Sequence, residues 1–83
     1  MANLYTGTLD TNNTYKTLTE LTGLTFTSGT TYTIQIQNMA YIREGSTGVG
    51  FLINSILPFE YTAGSDDLYI KNTYTPVVIN IAS

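Results

Sequence analysis

The chain contains no cysteine and no histidine. Without cysteine it can form neither a disulfide nor a thiolate metal site. Without histidine, imidazole acid–base catalysis and ordinary zinc sites are excluded as well. The sequence therefore predicts a protein that is not an enzyme, with no catalytic residue, no cofactor and no bound metal.

Charge is also scarce. Charged residues make up 11% of the chain, against a usual proportion of about 25%. Lys16, Arg43 and Lys71 are the only cations, and the formal net charge is −3. This composition argues against a groove that binds nucleic-acid phosphates. The polar residues are mainly Thr, Asn, Ser and Gln, which suit a surface that packs beside copies of itself or contacts sugars.

Long apolar runs are missing too. Runs such as Phe51–Ile53 are far shorter than a membrane-spanning segment. No basic or apolar leader follows Met1, so we expect synthesis in the cytoplasm, a soluble chain and no membrane partner. With 83 residues, the chain has room for a single β domain over 1–83. Small domains without disulfides or metals are often stabilised by association.

The strongest positive signal is an alternation of apolar and polar residues in 31–38. Tyr32, Ile34 and Ile36 are separated by Thr and Gln, so the apolar side chains share one face of a strand. Ser28 and Gly29 provide the turn that precedes it. We predict an inner strand here, around which a sheet forms.

The remaining elements are shorter. Leu18, Leu21 and Leu24 have helical spacing, but the many threonines around them argue against a stable helix. After Asn38 the alternation changes phase, which indicates a bulge or a strand end. Gly50 inside a strand indicates a bulge or a close neighbour. Besides the inner strand, we predict strands at 3–9 (an edge strand), 14–19, 24–27, 49–54, 59–62, 68–71 and 77–82, an exposed loop at 43–48, and a hairpin joining 59–62 to 68–71.

About seven to eight short strands, with turns every eight to twelve residues, predict an all-β fold. We expect a small antiparallel β-sandwich or barrel that resembles a jelly roll. The predicted core consists of the inward positions of these strands: Ile34, Ile36, Phe51, Ile53, Leu68, Ile70, Ile79 and Ile81.

Two local patterns have simpler explanations than a ligand site. Glu60, Asp66 and Asp67 carry oxygen ligands suited to Ca²⁺, but the twelve-residue calcium-loop pattern is missing, so we interpret 64–67 as a solvated turn. The tyrosines can stack on sugars, yet most are explained as strand formers at sheet edges or interfaces.

Residues 23–34 resemble the corner that leads into strand F of fibronectin type III domains. In that family a tyrosine after a glycine-containing turn bonds to upstream backbone. The resemblance assigns these structural roles to Tyr32 and Gly29. The family itself is set aside, because far more of this chain follows Tyr32 than follows that position in the family.

The whole chain resembles small virion proteins of tailed bacteriophages, namely capsid decoration proteins, head fibres and tail knobs. The features that carry this resemblance are the strand YTIQIQN, the pair Gly50 and Phe51, the segment PFEYTAGSDDLYIK and the terminal strand VVINIA. The resemblance implies a non-enzymatic structural protein of the virion, made in the host bacterial cytoplasm. Its implied partners are its own copies, as a homotrimer, and other virion proteins such as the major capsid protein. The alternative is a carbohydrate- or receptor-binding knob of a tail fibre, with a host-surface glycan as ligand.

Several apolar residues fall in loops or on strand faces opposite the predicted core. One sandwich of this size cannot cover all of them, and large exposed apolar patches are uncommon on soluble monomers. We therefore expect them to form an interface between copies of the chain. This candidate interface consists of Leu52, Ile56, Leu57, Tyr69, Tyr74 and Val78.

Overall fold

The structure is a computed structural model of the chain, and it describes residues 2–47, 50–54, 57–73 and 75–83. Strands dominate these residues, with one short helix among them. The elements are β1 (Asn3–Leu9), β2 (Lys16–Thr17), α1 (Leu18–Thr22), β3 (Thr31–Gln37), β4 (Ala40–Glu44), β5 (Phe51–Ile53), β6 (Phe59–Thr62), β7 (Leu68–Asn72) and β8 (Val77–Ala82).

The strands form two four-stranded sheets in which every pair is antiparallel. The first sheet has the order β1-β8-β3-β6 and the second has the order β2-β7-β4-β5. The first strand thus pairs with the eighth, the second with the seventh, the third with the sixth and the fourth with the fifth. A long hairpin rolled into two layers gives this order, which is that of a jelly roll. The predicted all-β sandwich is confirmed.

This order contradicts one predicted connection. β6 pairs with β3 in the first sheet, whereas β7 pairs with β2 and β4 in the second. The turn that contains Asp66 and Asp67 therefore joins the two sheets, and the predicted hairpin between 59–62 and 68–71 is wrong. Local alternation indicates that a strand exists but not which sheet it enters.

The core lies between the sheets and follows the alternation of the strands. Val77, Ile79 and Ile81 of β8 are fully buried, because β8 is an inner strand between β1 and β3. Six of the eight predicted core residues are buried: Ile34, Ile36, Leu68, Ile70, Ile79 and Ile81. The structure adds Leu9, Leu18, Tyr32, Ala40, Tyr61, Ala63 and Val77 to the core.

The other two predicted core residues lie on β5. Ile53 is half-buried and packs against the core. Phe51 is 78% exposed, so its prediction as a core residue is wrong. β5 is a three-residue edge strand, and an edge position lacks a neighbouring strand on one side to cover a large ring.

The segment after β2 forms the short helix α1, although the sequence argued against a stable helix and placed the end of a predicted strand at 18–19. The Thr17 side chain accepts a hydrogen bond from the Glu20 N–H at 3.0 Å, and Gly23 (φ 77°) ends the helix by donating its N–H to the Thr19 carbonyl. Both caps satisfy backbone groups that a short helix leaves unpaired. The predicted strand at 14–19 is reduced to Lys16–Thr17, and the predicted strand at 24–27 is absent from the described residues.

The predicted change of phase at Asn38 is a strand end. β3 ends at Gln37, Asn38 has a φ of 72°, and the chain then enters the second sheet at Ala40. Ala40 is buried, whereas Met39 is exposed. The predicted loop at 43–48 also begins later, because Arg43 and Glu44 belong to β4.

Candidate functional site

The two sides of the sandwich differ. We call the side formed by the edge strands β5 and β6 the open side. A cavity of about 400 Å³ lies there and is lined by residues from both sheets. Its lining consists of Ile42, Arg43, Glu44, Thr47, Phe51, Phe59, Glu60, Tyr61 and Leu68.

The aromatic wall of this cavity is set by strand alternation. Phe59 and Tyr61 occupy alternate positions of β6 and face the interior, where Phe59 packs against the core and Tyr61 belongs to it. Phe51 is contributed by β5 of the opposite sheet. The cavity thus has aromatic rings from both layers, a common feature of small-ligand sites.

The environment of Tyr61 in the cavity wall changes the acidity of its hydroxyl. Burial raises the pKa of the Tyr61 hydroxyl above its ordinary value, and the negative charges of Glu44, Asp67 and Asp66 raise it further, while a backbone hydrogen bond at Gly64 lowers it. The hydroxyl therefore stays protonated at neutral pH. Three acidic residues thus act on the Tyr61 hydroxyl, and Tyr61 is part of the cavity lining.

Three exposed apolar side chains lie on β5 and just after it. We call them the apolar rim: Phe51, Leu52 and Leu57 are 78%, 46% and 72% exposed. Two members of the candidate interface, Leu52 and Leu57, belong to this rim.

The other members of the candidate interface lie elsewhere. Tyr69 is half-buried on the outer face of the second sheet, and Val78 is on the outer face of the first sheet. Ile56 and Tyr74 lie outside the described residues. The structure therefore does not bring the four described members onto one surface.

The outer face of the second sheet carries stacked tyrosines and cations. The Arg43 guanidinium carbon lies 3.8 Å from the centre of the Tyr15 ring and 5.5 Å from that of Tyr69. The Lys71 ammonium lies 5.1 Å from the ring centres of both Tyr15 and Tyr41. Rings and cations at these distances attract each other. Sequence analysis missed this cluster because its members come from separate strands.

Gly50 permits the position of the Tyr15 ring. The Gly50 N–H donates to the Tyr15 hydroxyl at 3.1 Å. A Cβ at Gly50 would collide with this hydroxyl and with the Ile42 carbonyl oxygen. The close neighbour predicted at Gly50 is confirmed.

The outer face of the first sheet is polar and nearly uncharged. Threonine, asparagine and glutamine occupy most outward positions of β1, β8, β3 and β6, and Glu60 of β6 is the only charged residue in these four strands. Thr6 donates to Asn80 at 2.7 Å, and the hydroxyls of Thr31 and Thr62 are hydrogen-bonded at 2.8 Å. This face is an array of hydroxyl and amide groups.

The corner at 26–32 lies next to the β6–β7 connection. The Tyr32 hydroxyl accepts a hydrogen bond from the Thr27 N–H at 2.7 Å, and its ring packs edge-on against Phe26 with 4.8 Å between ring centres. Gly29 has a φ of 87°, which favours glycine, and its N–H donates to the Ala63 carbonyl at 2.8 Å.

The opposite side of the sandwich is closed by a buried polar pair. Thr11, between β1 and β2, and Asn72, at the end of β7, are both almost fully buried. The Asn72 Oδ1 accepts from the Thr11 hydroxyl at 2.6 Å and from the Thr11 N–H at 2.5 Å, and the Asn72 N–H donates to the Thr11 hydroxyl at 3.0 Å. Sequence analysis missed this pair, although Asn72 follows Leu68 and Ile70 in the same inward phase.

The acidic residues of the turn do not converge. Among residues 2–47, 50–54, 57–73 and 75–83, no group of three or more Asp, Glu, His or Cys side chains is arranged to hold a metal ion. Nor do these residues include a helix with the length and apolarity needed to cross a membrane.

Comparison with known proteins identified no relative: no family model matches the chain, and neither a curated protein nor a solved structure matches it significantly.

Proposed function

We propose that the protein is a non-enzymatic structural subunit of a bacteriophage virion, a capsid decoration or head-fibre protein that assembles with its own copies. The observation that carries this proposal is the apolar rim. Phe51, Leu52 and Leu57 expose large apolar side chains, and exposed apolar surface of this kind is typical of interaction sites on soluble proteins. Burying the rim between copies, as a homotrimer on the particle, removes it from water.

Two further observations support the proposal. The jelly-roll strand order occurs in viral capsid domains and lectins, although a fold by itself does not define a function. The first sheet offers a nearly uncharged outer face, so contact with another virion protein such as the major capsid protein would desolvate few charges.

The experiment locates the protein and tests the rim. Mass spectrometry should detect the protein in purified particles, and immunogold labelling should place it on the head. The number of copies per particle should be a multiple of the number of sites that the protein occupies there. Sedimentation of the isolated protein should show a homo-oligomer that dissociates in the double variant L52S/L57S. The matched control is Met39→Ser, which removes an exposed apolar side chain that is not part of the candidate interface and should leave assembly unchanged. A monomer both in solution and on the particle would disprove the proposal.

One observation favours the alternative of a carbohydrate- or receptor-binding knob. The outer face of the second sheet displays Tyr15, Tyr41 and Tyr69 around Arg43 and Lys71, and aromatic rings with neighbouring polar groups suit stacking against sugars. Binding on a glycan array that is lost in Tyr69→Ala, with labelling at the tail, would favour this function over the structural one.

A further inference from the structure

We infer that the cavity on the open side is a binding site for an organic cation with an apolar body, such as an alkylammonium group or the side chain of a lysine. This inference does not rest on the proposed assembly: the rim and the cavity lining share Phe51, but the other lining residues are not part of the rim.

The size and walls of the cavity suit such a ligand. Its volume of about 400 Å³ lies in the range of about 300–1,000 Å³ found for small-ligand sites. Phe51, Phe59 and Tyr61 bring aromatic rings from both sheets, and Ile42 and Leu68 add aliphatic surface. An alkyl chain loses contact with water against these walls, and an ammonium group is attracted to the faces of aromatic rings.

The charged residues of the lining favour a cation over an anion as the ligand of the cavity. Two of the three charged residues of the lining are acidic, Glu44 and Glu60. Besides burial, the negative charges of Glu44, Asp67 and Asp66 raise the pKa of the Tyr61 hydroxyl, so both aspartates add to the charge of the two glutamates. An anion in the cavity would be repelled by these groups, whereas a cation would be attracted to them.

The positive charge of Arg43, the third charged residue of the lining, does not reverse this preference for a cation. The guanidinium of Arg43 stacks on the Tyr15 ring at 3.8 Å, and its Nη2 donates to the Ser46 carbonyl at 3.1 Å. Lys71 is likewise stacked between Tyr15 and Tyr41, and Lys16 lies on β2 at the opposite edge of the second sheet. The ligand cation is therefore expected to come from another molecule.

The test compares three ligands with the same carbon chain. Titrations of the ¹⁵N-labelled protein with n-butylammonium, n-butanol and butyrate, followed by NMR chemical shifts, should show saturable changes at Phe59 and Tyr61 with n-butylammonium only. The source of the cation is then resolved with N-acetyl-lysine amide and its ε-acetylated form. Tighter binding of the lysine derivative than of butylammonium assigns the site to a protein partner, and the reverse order assigns it to a free amine.

Variants test the role of the carboxylates. Glu44→Gln and Glu60→Gln keep the side-chain shape at exposed positions, and each should weaken butylammonium binding by about fivefold, the upper end of what one exposed charge pair contributes. Glu20→Gln, an exposed residue of α1, is the matched control and should bind as the unmodified protein does. Circular dichroism and melting curves verify that the variants are folded.

Three results would overturn the inference: equal binding of butanol and butylammonium, unchanged affinity in both glutamine variants, or no saturable shift with any cation. Sedimentation of the same variants shows whether a failure of the cation-site inference also affects the proposed assembly. Loss of cation binding with assembly intact concerns the cavity alone, and loss of assembly in L52S/L57S with cation binding intact concerns the rim alone.

Discussion

The closed and open sides of this sandwich differ in which residues they bury and which they leave exposed. On the closed side, Thr11 and Asn72 are buried together and satisfy each other with three hydrogen bonds. On the open side, Phe51 lines a cavity and yet stays exposed, and Leu57 is exposed as well. A polar pair is thus inside the protein and large apolar residues are outside it.

The comparison shows that the burial of a side chain in a small sandwich depends more on the strands and side chains around it than on its residue type. Polar atoms are tolerated inside when each has a partner, since an unsatisfied buried group costs free energy. Apolar side chains remain outside where an edge strand has no neighbour to cover them. The closed side therefore contributes to stability, and the open side is available for recognition.

The variant expected to lower stability most is Asn72→Ala, on the closed side. The change leaves the buried Thr11 N–H and hydroxyl without their acceptor, so the free energy of unfolding should fall by about 2–4 kcal/mol. Urea denaturation followed by circular dichroism measures it. Asn80→Ala is the control, because Asn80 is exposed on the first sheet, and it should cost less than about 0.5 kcal/mol. Equal losses in the two variants would show that the buried pair is not what stabilises the closed side.

A smaller effect is expected at the corner that lies between the two sides. Tyr32→Phe removes the acceptor of the Thr27 N–H and keeps the buried ring, so it should lower the free energy of unfolding by about 1–3 kcal/mol. Tyr69→Phe keeps the ring that faces Arg43 and is the matched control. If the two variants melted alike, the Tyr32 hydroxyl would contribute nothing and its ring alone would matter.

The smallest effect should come from the open side. Phe51→Ser should change the free energy of unfolding by no more than about 0.5 kcal/mol at low protein concentration, because little of this ring is buried. Ile53→Ser, on the same strand but packed against the core, should cost clearly more. Thermal melting of both variants at several concentrations provides the measurement. A large loss for Phe51→Ser that persists at the lowest concentration would mean that the ring stabilises the monomer.

Much of the fold could be predicted from the sequence, and the candidate site only in part. The alternation around Ile34, Ile79 and Ile81 defines inward faces because successive side chains of any strand point to opposite sides. The exposed Leu52 and Leu57 were expected as surface residues for the same reason. The cavity was not predicted, because its lining comes from both sheets and no local pattern records which strands become neighbours.

The sequence by itself determined the all-β class, the inner strand at Thr31–Gln37 and the buried face of Val77–Ala82, because these properties depend on local period and strand propensity. Only the tertiary structure decided that β6 and β7 belong to different sheets, that Asn72 is buried and that Phe51 is exposed. These properties depend on long-range strand pairing and on what covers each edge. A side chain's phase gives the face on which it lies, but the neighbouring strand determines whether that face is removed from water.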